Sequence, residues 1–423
     1  MTTPTITPTT TPTGASKTTP IAPIAPIAEV PTSLEYPGFD FTITARDPDS
    51  EGRCGVLTTP HGSLETPAFI FCATKAALRV ATIDQAEAES TQIILANTYH
   101  LMLQPGADVV ERLGGLHKMT GWQGPMLTDS GGYQVFSMAH GGVSEDIKGK
   151  RPRFGTSRLK VTEEGAQFRS YVDGTKFTLT PESAMQVQRQ LAPDLVVVLD
   201  ECTAFKDSRD YTARSMERTH RWANRSLAAF ATQHDGRQAV YGVLQGGVYE
   251  DLRRESAEYI SQLPTFGLAV GGCLGKDPEE LAEIANYSMR FLRRDRPIHF
   301  LGVGGIADIF AGVGVGMDTF DCVVPTRLAR HGGALIKQAP LFRLNLHNAC
   351  HRGVPDPIDP ACPCYTCRTH SRGYLHHLFK ADELLGMTLL TLHNIRFMND
   401  LMTSIRTAIR AGQLSALRRE WLG

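Results

Sequence analysis

Long apolar runs are missing from this chain of 423 residues. No stretch approaches the ~18 to 20 consecutive apolar residues that cross a bilayer, so a helical membrane protein is excluded and a soluble, cytoplasmic one is expected. Net charge is nearly absent too. With Lys+Arg 43 against Asp+Glu 44 the balance is −1, so any surface for a polyanion must come from local segregation of charge. The first 33 residues, rich in Thr, Pro and Ala, hold no arginine and no continuous apolar core. Neither a signal peptide nor a basic transit peptide fits, and a disordered tail is expected over residues 1–35. Without a secretion signal, the nine cysteines read as reduced thiols rather than a disulfide framework.

What is present starts with 42% hydrophobic residues, enough for a sizeable core. Short β-rich runs recur at 68–74, 92–99, 125–132, 195–201, 239–247, 266–272, 298–305 and 319–324, separated by stretches of helical character. "TPES" (180–183) and "DPEE" (277–280) each place a capping residue before Pro at a helix start. Leu281, Ile284, Ala285, Ser288 and Leu292 then follow at amphipathic spacing. Continuous apolar strands alternating with such helices mean a parallel sheet, and eight repeats predict an α/β fold of the (β/α)8 TIM-barrel class. A doubly wound open sheet is the structural rival. Residues 36–423 are expected to form the barrel, with a further subdomain at about 335–400 after the last strand.

Asp129, Asp200, Gln245, Gly271-Gly272 and Gly304-Gly305 fall at or just past the strand ends, the rim where barrel active sites are built. Each alone has a plainer reading, since Asp there is commonly a helix cap and Gly-Gly a turn. "TFDCVV" (319–324) adds Asp321 inside an apolar run. A buried carboxylate must be neutralised, partnered or put to chemical use. From Cys322 to Pro355 the formal charges are Arg327, Arg330, Lys337, Arg343 and Arg352, a local +5 with no acid. Such a run is either a solvated face or a surface for nucleic acid.

"ACPCYTCRTH" (361–370) spaces Cys362, Cys364 and Cys367 so that three thiolates can converge on one tetrahedral cation. The spacing leaves the fourth ligand open among His370, His376, His377 and His393. His393 lies within an apolar-periodic helix expected over about 382–410, where it reads equally as a packed helical histidine. Four protein ligands fill a zinc shell, so the metal is expected to be structural.

Taken together, "LTDSGGYQVFS" (127–137), "LDEC" (199–202), "VLQGGVY" (243–249), "GVGMDTFDCVVPTRLARHG" (314–332) and the Cys cluster followed by His393 resemble the tRNA-guanine transglycosylases, also called queuine tRNA-ribosyltransferases. The resemblance runs in order from about residue 40 to the C-terminus. It implies a homodimeric (β/α)8 barrel with one structural Zn2+ per subunit. It also implies exchange of guanine at the anticodon wobble position of GUN-anticodon tRNAs for a 7-deazaguanine base, queuine or its 7-aminomethyl precursor, through a ribosyl-aspartate. In this light Asp321 matches the nucleophile and Asp129 the general acid/base. The base-binding set becomes Ser130, Tyr133, Asp200, Cys202, Gln245, Gly246, Gly271, Gly272 and Leu301. Arg327 and Arg330 match arginines that grip the anticodon loop, and Cys362, Cys364, Cys367 and His393 the zinc shell.

One segment departs from the usual bacterial pattern. Where most bacterial members read GGLAVGE, this chain reads "GGCLGKD" (271–277), with Cys273 for Leu, Gly275 for Val and no final Glu. Eukaryotic members also have Gly at the position of Gly275, so the segment is consistent either with room for the bulkier queuine or with a turn adjustment. Three other readings compete with the resemblance. A non-catalytic RNA-binding partner has no need of Asp129 and Asp321 together. A hydrolase with metal at the barrel mouth wants histidines that the strand ends lack. A DNA-acting relative is set apart through the zinc insertion and "PTRLAR" (325–330).

Overall fold

Apolar runs flanked by helices should give parallel strands buried on both faces. Eight of them close into a (β/α)8 barrel in the computed structural model, which describes residues 31–139, 159–205, 207–233, 235–272 and 278–423. Most of the expected tail and the segment 273–277, with Cys273 and Gly275, lie outside the described residues. The strands along the chain are β1 (Asp40–Arg46), β2 (Arg53–Thr59), β3 (Gly62–Thr66), β4 (Ala68–Cys72), β5 (Ile94–Ala96), β6 (Met126–Thr128), β7 (Lys160–Val161) and β8 (Ala166–Arg169). There follow β9 (Lys176–Leu179), β10 (Leu195–Val197), β11 (Ala239–Leu244), β12 (Gly267–Val270), β13 (Ile298–Phe300), β14 (Thr319–Cys322), β15 (Gly333–Leu335) and β16 (Arg343–Asn345). The barrel order is β4-β5-β6-β10-β11-β12-β13-β14, with β14 returning to β4. Each barrel strand falls inside one of the apolar runs, and the open-sheet rival is discarded.

Three short antiparallel assemblies, β1–β3, β7–β9 and β15–β16, were not expected. In β1 exposed and half-buried positions alternate, so the strand carries no apolar run to reveal it. The helix Pro181–Leu191 starts as expected. The Thr180 hydroxyl accepts from Ser183 N at 3.1 Å and the Ser183 hydroxyl accepts from Thr180 N at 2.8 Å, a reciprocal cap. At 277–280 the helix begins at Pro278, and the expected capping residue, Asp277, lies outside the described residues.

Two buried carboxylates bolt the lower rim. Asp318, fully buried below β14, takes the Arg53 Nε at 2.9 Å and Nη2 at 2.6 Å, and also accepts from Ile298 N at 2.7 Å. This ties β2 to the barrel floor. At the foot of β10, Asp194 accepts from Met126 N at 2.8 Å, with His61 Nδ1 at 2.6 Å and His117 Nε2 at 3.2 Å from its two oxygens. The two imidazoles stack with centroids 3.6 Å apart and planes 10° from parallel. Each ring gives a nitrogen to the Asp194 carboxylate, and His117 Nε2 also lies 3.1 Å from Gly124 O, so the trio acts as a hydrogen-bonding clasp.

The helix Leu384–Arg410 packs on β4 and the N-terminal sheet. Its Asn394 accepts from Leu335 N at 2.8 Å and donates to Pro325 O at 2.9 Å and Gly333 O at 3.0 Å. One helix thus holds both β15 and the short helix Val324–Arg330 that follows the last barrel strand. Beside it Leu346, Ile358, Leu375, Phe379 and Leu390 form a second apolar cluster that includes Cys364 and Cys367.

Candidate active site and metal centre

The upper rim collects the polar residues singled out above. Asp321 sits within β14 and Asp129 just past β6, while Asp200, Gln245, Gly271-Gly272 and Leu301 follow β10, β11, β12 and β13. Asp321 is 8% exposed. Its Oδ1 accepts from Gly302 N at 2.7 Å, and the Cys72 thiol donates to Oδ2 at 3.6 Å. No Lys or Arg side chain is paired with it among the described residues, and His299 Nε2 stands 3.2 Å from Oδ1, so the charge rests on a backbone dipole, a weak thiol donor and that imidazole.

Asp129 is held differently. Asn97 Nδ2 and Gln134 Nε2 donate to its Oδ2 at 2.5 and 2.7 Å, and Thr98 N donates to Oδ1 at 2.8 Å. Burial nevertheless wins over these bonds and lifts its pKa to about 6, with the neighbouring charge of Asp321 adding to the rise. Asp200 shows the same balance. Burial raises its pKa to about 6, against hydrogen bonds from Gln245 Nε2 at 2.7 Å and Ser130 Oγ at 3.2 Å, and the Asp129 charge raises it further. The three acids therefore form an electrostatically linked row.

A carboxyl whose folded pKa exceeds its unfolded value favours the fold below that unfolded value, and the advantage is lost as pH climbs through the folded one. For Asp129 and Asp200 the window runs from 3.8 to about 6, on the order of 2–3 kcal/mol per group. The thermal midpoint should therefore fall more steeply between about pH 4 and about pH 7 in the wild type than in Asp200→Asn. Calorimetric melts across that range check this, and parallel slopes would refute it.

Glycine is required where this row is walled. Gly272 has φ +61°, and a Cβ there would stand 2.3 Å from Gln245 Oε1. Gly246, at φ +127°, would meet Arg253 N at 2.8 Å. Arg253 itself is fully buried and donates through Nε to Gly247 O and through Nη1 to Gly271 O, both at 2.7 Å. It pins the two glycine pairs together, and beside them Gln245 Oε1 is buried without a hydrogen-bond partner among the described residues.

The remaining expected residues are less tightly joined. Tyr133, on the helix Gly132–Ala139, is 46% exposed. Cys202 and Leu301 are half-buried. Arg327 is exposed on its helix, and Arg330 donates to Thr326 O at 2.9 Å. Burial, then the charges of Arg79 and Arg327, push the Arg330 guanidinium below its ordinary value, so the three cations lie near one another. Asn97, Thr98, Gln134, Arg253 and Arg79 were missed. Only Asn97 and Gln134 left a signal, as polar residues in "ILANTY" and "DSGGYQ" at strand ends.

The metal centre is built from the second cluster. His393 Nδ1 lies 3.7, 3.7 and 3.3 Å from the sulfurs of Cys362, Cys364 and Cys367. A tetrahedral zinc with Zn–S of about 2.3 Å and Zn–N of about 2.05 Å separates such ligands by about 3.6 Å. The set fits. His393 Nε2 donates to Leu335 O at 2.7 Å, which fixes the tautomer that frees Nδ1 for metal. His376 is spent on Leu346 O at 2.7 Å and His370 lies tilted against Tyr374, while His393 is the histidine brought to the three sulfurs.

A family model described as "Queuine tRNA-ribosyltransferase" matches residues 47–423. Curated relatives with that same name include one from Roseiflexus sp. (strain RS-1), 46% identical over 90% of this chain and 99% of its own length. Another from Herpetosiphon aurantiacus is 42% identical over 90% of this chain and 92% of its own. A third from Halothermothrix orenii is 40% identical, covering 91% and 97%. No helix among the described residues is long and apolar enough to cross a membrane.

Proposed function

The chain belongs to the queuine tRNA-ribosyltransferase family, and from that we propose that it is a pentosyltransferase exchanging guanine in tRNA for a 7-deazaguanine base, in queuosine modification. We place the exchange at the wobble position of GUN-anticodon tRNAs, with queuine or its 7-aminomethyl precursor as the incoming base. The observation that carries this reading is the row of rim acids, Asp321 buried beside Asp129 with a pKa near 6.

In this reading Asp321 attacks C1′ of the ribose and forms a ribosyl-aspartate, as in retaining glycoside chemistry. Asp129 gives a proton to N9 of the departing guanine and later takes one from the incoming base. A group poised near the working pH can do both. Asp200 accepts from the donor edge of the guanine-like ring, Gln245 and Ser130 orient that carboxylate, and the wall of Gly246, Gly271 and Gly272 lets the base approach the backbone. Tyr133, Cys202 and Leu301 complete the base site. Arg327 and Arg330, with Arg79, hold the anticodon loop, whose single-stranded bases are splayed at little cost. Cys362, Cys364, Cys367 and His393 hold one structural zinc that takes no part in the chemistry.

We take 36–423 as the catalytic barrel and about 335–400 as its zinc-binding subdomain. A cytoplasmic homodimer, one subunit reacting while the other orients tRNA, completes the proposal. Incorporation of labelled guanine into a GUN-anticodon tRNA tests the activity. Asp200→Asn is expected to lower kcat/KM for the base on the order of 100-fold, because the ring's N–H groups lose their acceptor in a dry site. Absence of exchange by the folded wild type, or undiminished guanine use by Asp200→Asn, would overturn the assignment.

A further inference from the structure

Beside Asp321 stands a group that the reaction outlined above leaves unused. His299 of β13 pairs across the sheet with Thr319 of β14, and the two-residue strand period puts Thr319 on the same face as Asp321. His299 is 1% exposed. Its Nδ1 is 2.9 Å from the Thr319 hydroxyl, and its Nε2 is 3.2 Å from Asp321 Oδ1. That second approach is angled so that Nε2 makes no hydrogen bond. A buried ring nitrogen in that state calls for an explanation.

The donor inventory fixes the proton. Thr319 can donate or accept, whereas an ionised Asp321 only accepts. Were Nδ1 to carry the proton, the Nε2 lone pair would face the carboxylate and repel it. With the Thr319 hydroxyl donating to Nδ1, the proton sits on Nε2 and faces Oδ1. Active-site hydrogen bonds that are misaligned without substrate commonly tighten when it binds.

Resting on the ribosyl-transfer reading, we propose that His299 is a positioning residue for Asp321. Its Nε2–H and the Gly302 N–H together hold Oδ1, which leaves Oδ2 as the oxygen that attacks the sugar. In the first half the Oδ2–C1′ bond forms as C1′–N9 breaks, and the N9 electron pair takes a proton from Asp129. In the second half N9 of the incoming base attacks C1′ and gives its proton to Asp129, while the C1′–Oδ2 pair returns to the carboxylate. Two donors on Oδ1 stabilise that returning charge, so His299 assists departure of the aspartate more than its attack.

The test compares formation and breakdown of the enzyme–RNA adduct in the wild type, His299→Leu, His299→Gln and Thr319→Val, each checked by its melt. In His299→Leu, kcat should fall on the order of 10- to 100-fold at unchanged KM for tRNA, the loss of one hydrogen bond to a charged group. Adduct breakdown should slow more than formation, so that adduct accumulates, which a mere packing defect would not produce. His299→Gln keeps an N–H donor and should stay within a few-fold of wild type. Thr319→Val preserves shape, frees the tautomer and should give an intermediate loss. Wild-type rates in His299→Leu, or equal damage in Gln and Leu with both steps slowed alike, would overturn the inference. Should His299→Leu fail to fold, unchanged rates in Thr319→Val would overturn it instead. Absence of exchange in the wild type would overturn the ribosyl-transfer reading, and this inference with it.

Discussion

Asp321→Asn is expected to yield a folded protein that exchanges guanine at least roughly four orders of magnitude more slowly and captures no RNA after denaturation. The substitution keeps the side-chain volume at a site that is 8% exposed, and the amide oxygen can still accept from Gly302 N. What vanishes is the anionic oxygen facing the Cys72 thiol, the one free to bond to C1′. A carboxamide is too weak a nucleophile to replace it. Asp129→Asn should differ in kind, because it removes proton transfer but leaves the attacking oxygen in place. It should slow turnover while still trapping a fraction of adduct. A denaturing gel of labelled tRNA separates the two. Adduct in Asp321→Asn, or guanine exchange near the wild-type rate, would remove Asp321 from the nucleophile's role.

The sequence made the barrel legible because parallel strands buried on both faces must be continuous apolar runs, as in "AFIFC" of β4 and "GLAV" of β12. Asp321 stood out for the same reason, a charge in a run that tolerates none. The Cys-x-Cys-x2-Cys spacing is local, whereas the choice of His393 depended on a helix returning across the cluster. Contacts between distant segments left no local mark. Arg53 and Asp318 are an ordinary arginine and aspartate until β2 is laid against the foot of β14. Arg253 reads as a surface helix residue, yet it is fully buried between two glycine turns. His299 was counted only as part of an apolar run, since its neighbour Asp321 comes from the next strand. The weak antiparallel strands escaped because half-exposed alternation such as that of β1 resembles a loop.

Metal removal should produce the second large effect, in the grip on RNA rather than in the chemistry. Three sulfurs and His393 Nδ1 can fill a tetrahedral shell with no position left for substrate, so a zinc there would act through what it holds. Structural zinc sites supply folding free energy on the order of 10 kcal/mol to the segment they close. Here the segment joins Cys362, Cys364 and Cys367 to the helix Leu384–Arg410. That helix in turn fixes Leu335 through His393 and Asn394, and Pro325 through Asn394. Pro325 belongs to the short helix that presents Arg327 and Arg330. Loosening the cluster therefore propagates to the arginines in two hydrogen-bonded steps, while the eight-stranded barrel keeps its own core. Chelation, or Cys364→Ser, is expected to raise KM for tRNA on the order of 100-fold or more and to expose the amides of residues 333–380 to hydrogen exchange. Barrel strands should stay protected, and turnover of the tRNA that still binds should fall far less than its affinity. A metal-free chain with unchanged tRNA affinity and unchanged protection would mean that the apolar cluster around Leu375 and Leu390 holds the segment unaided. The path from cysteines to arginines would then be broken.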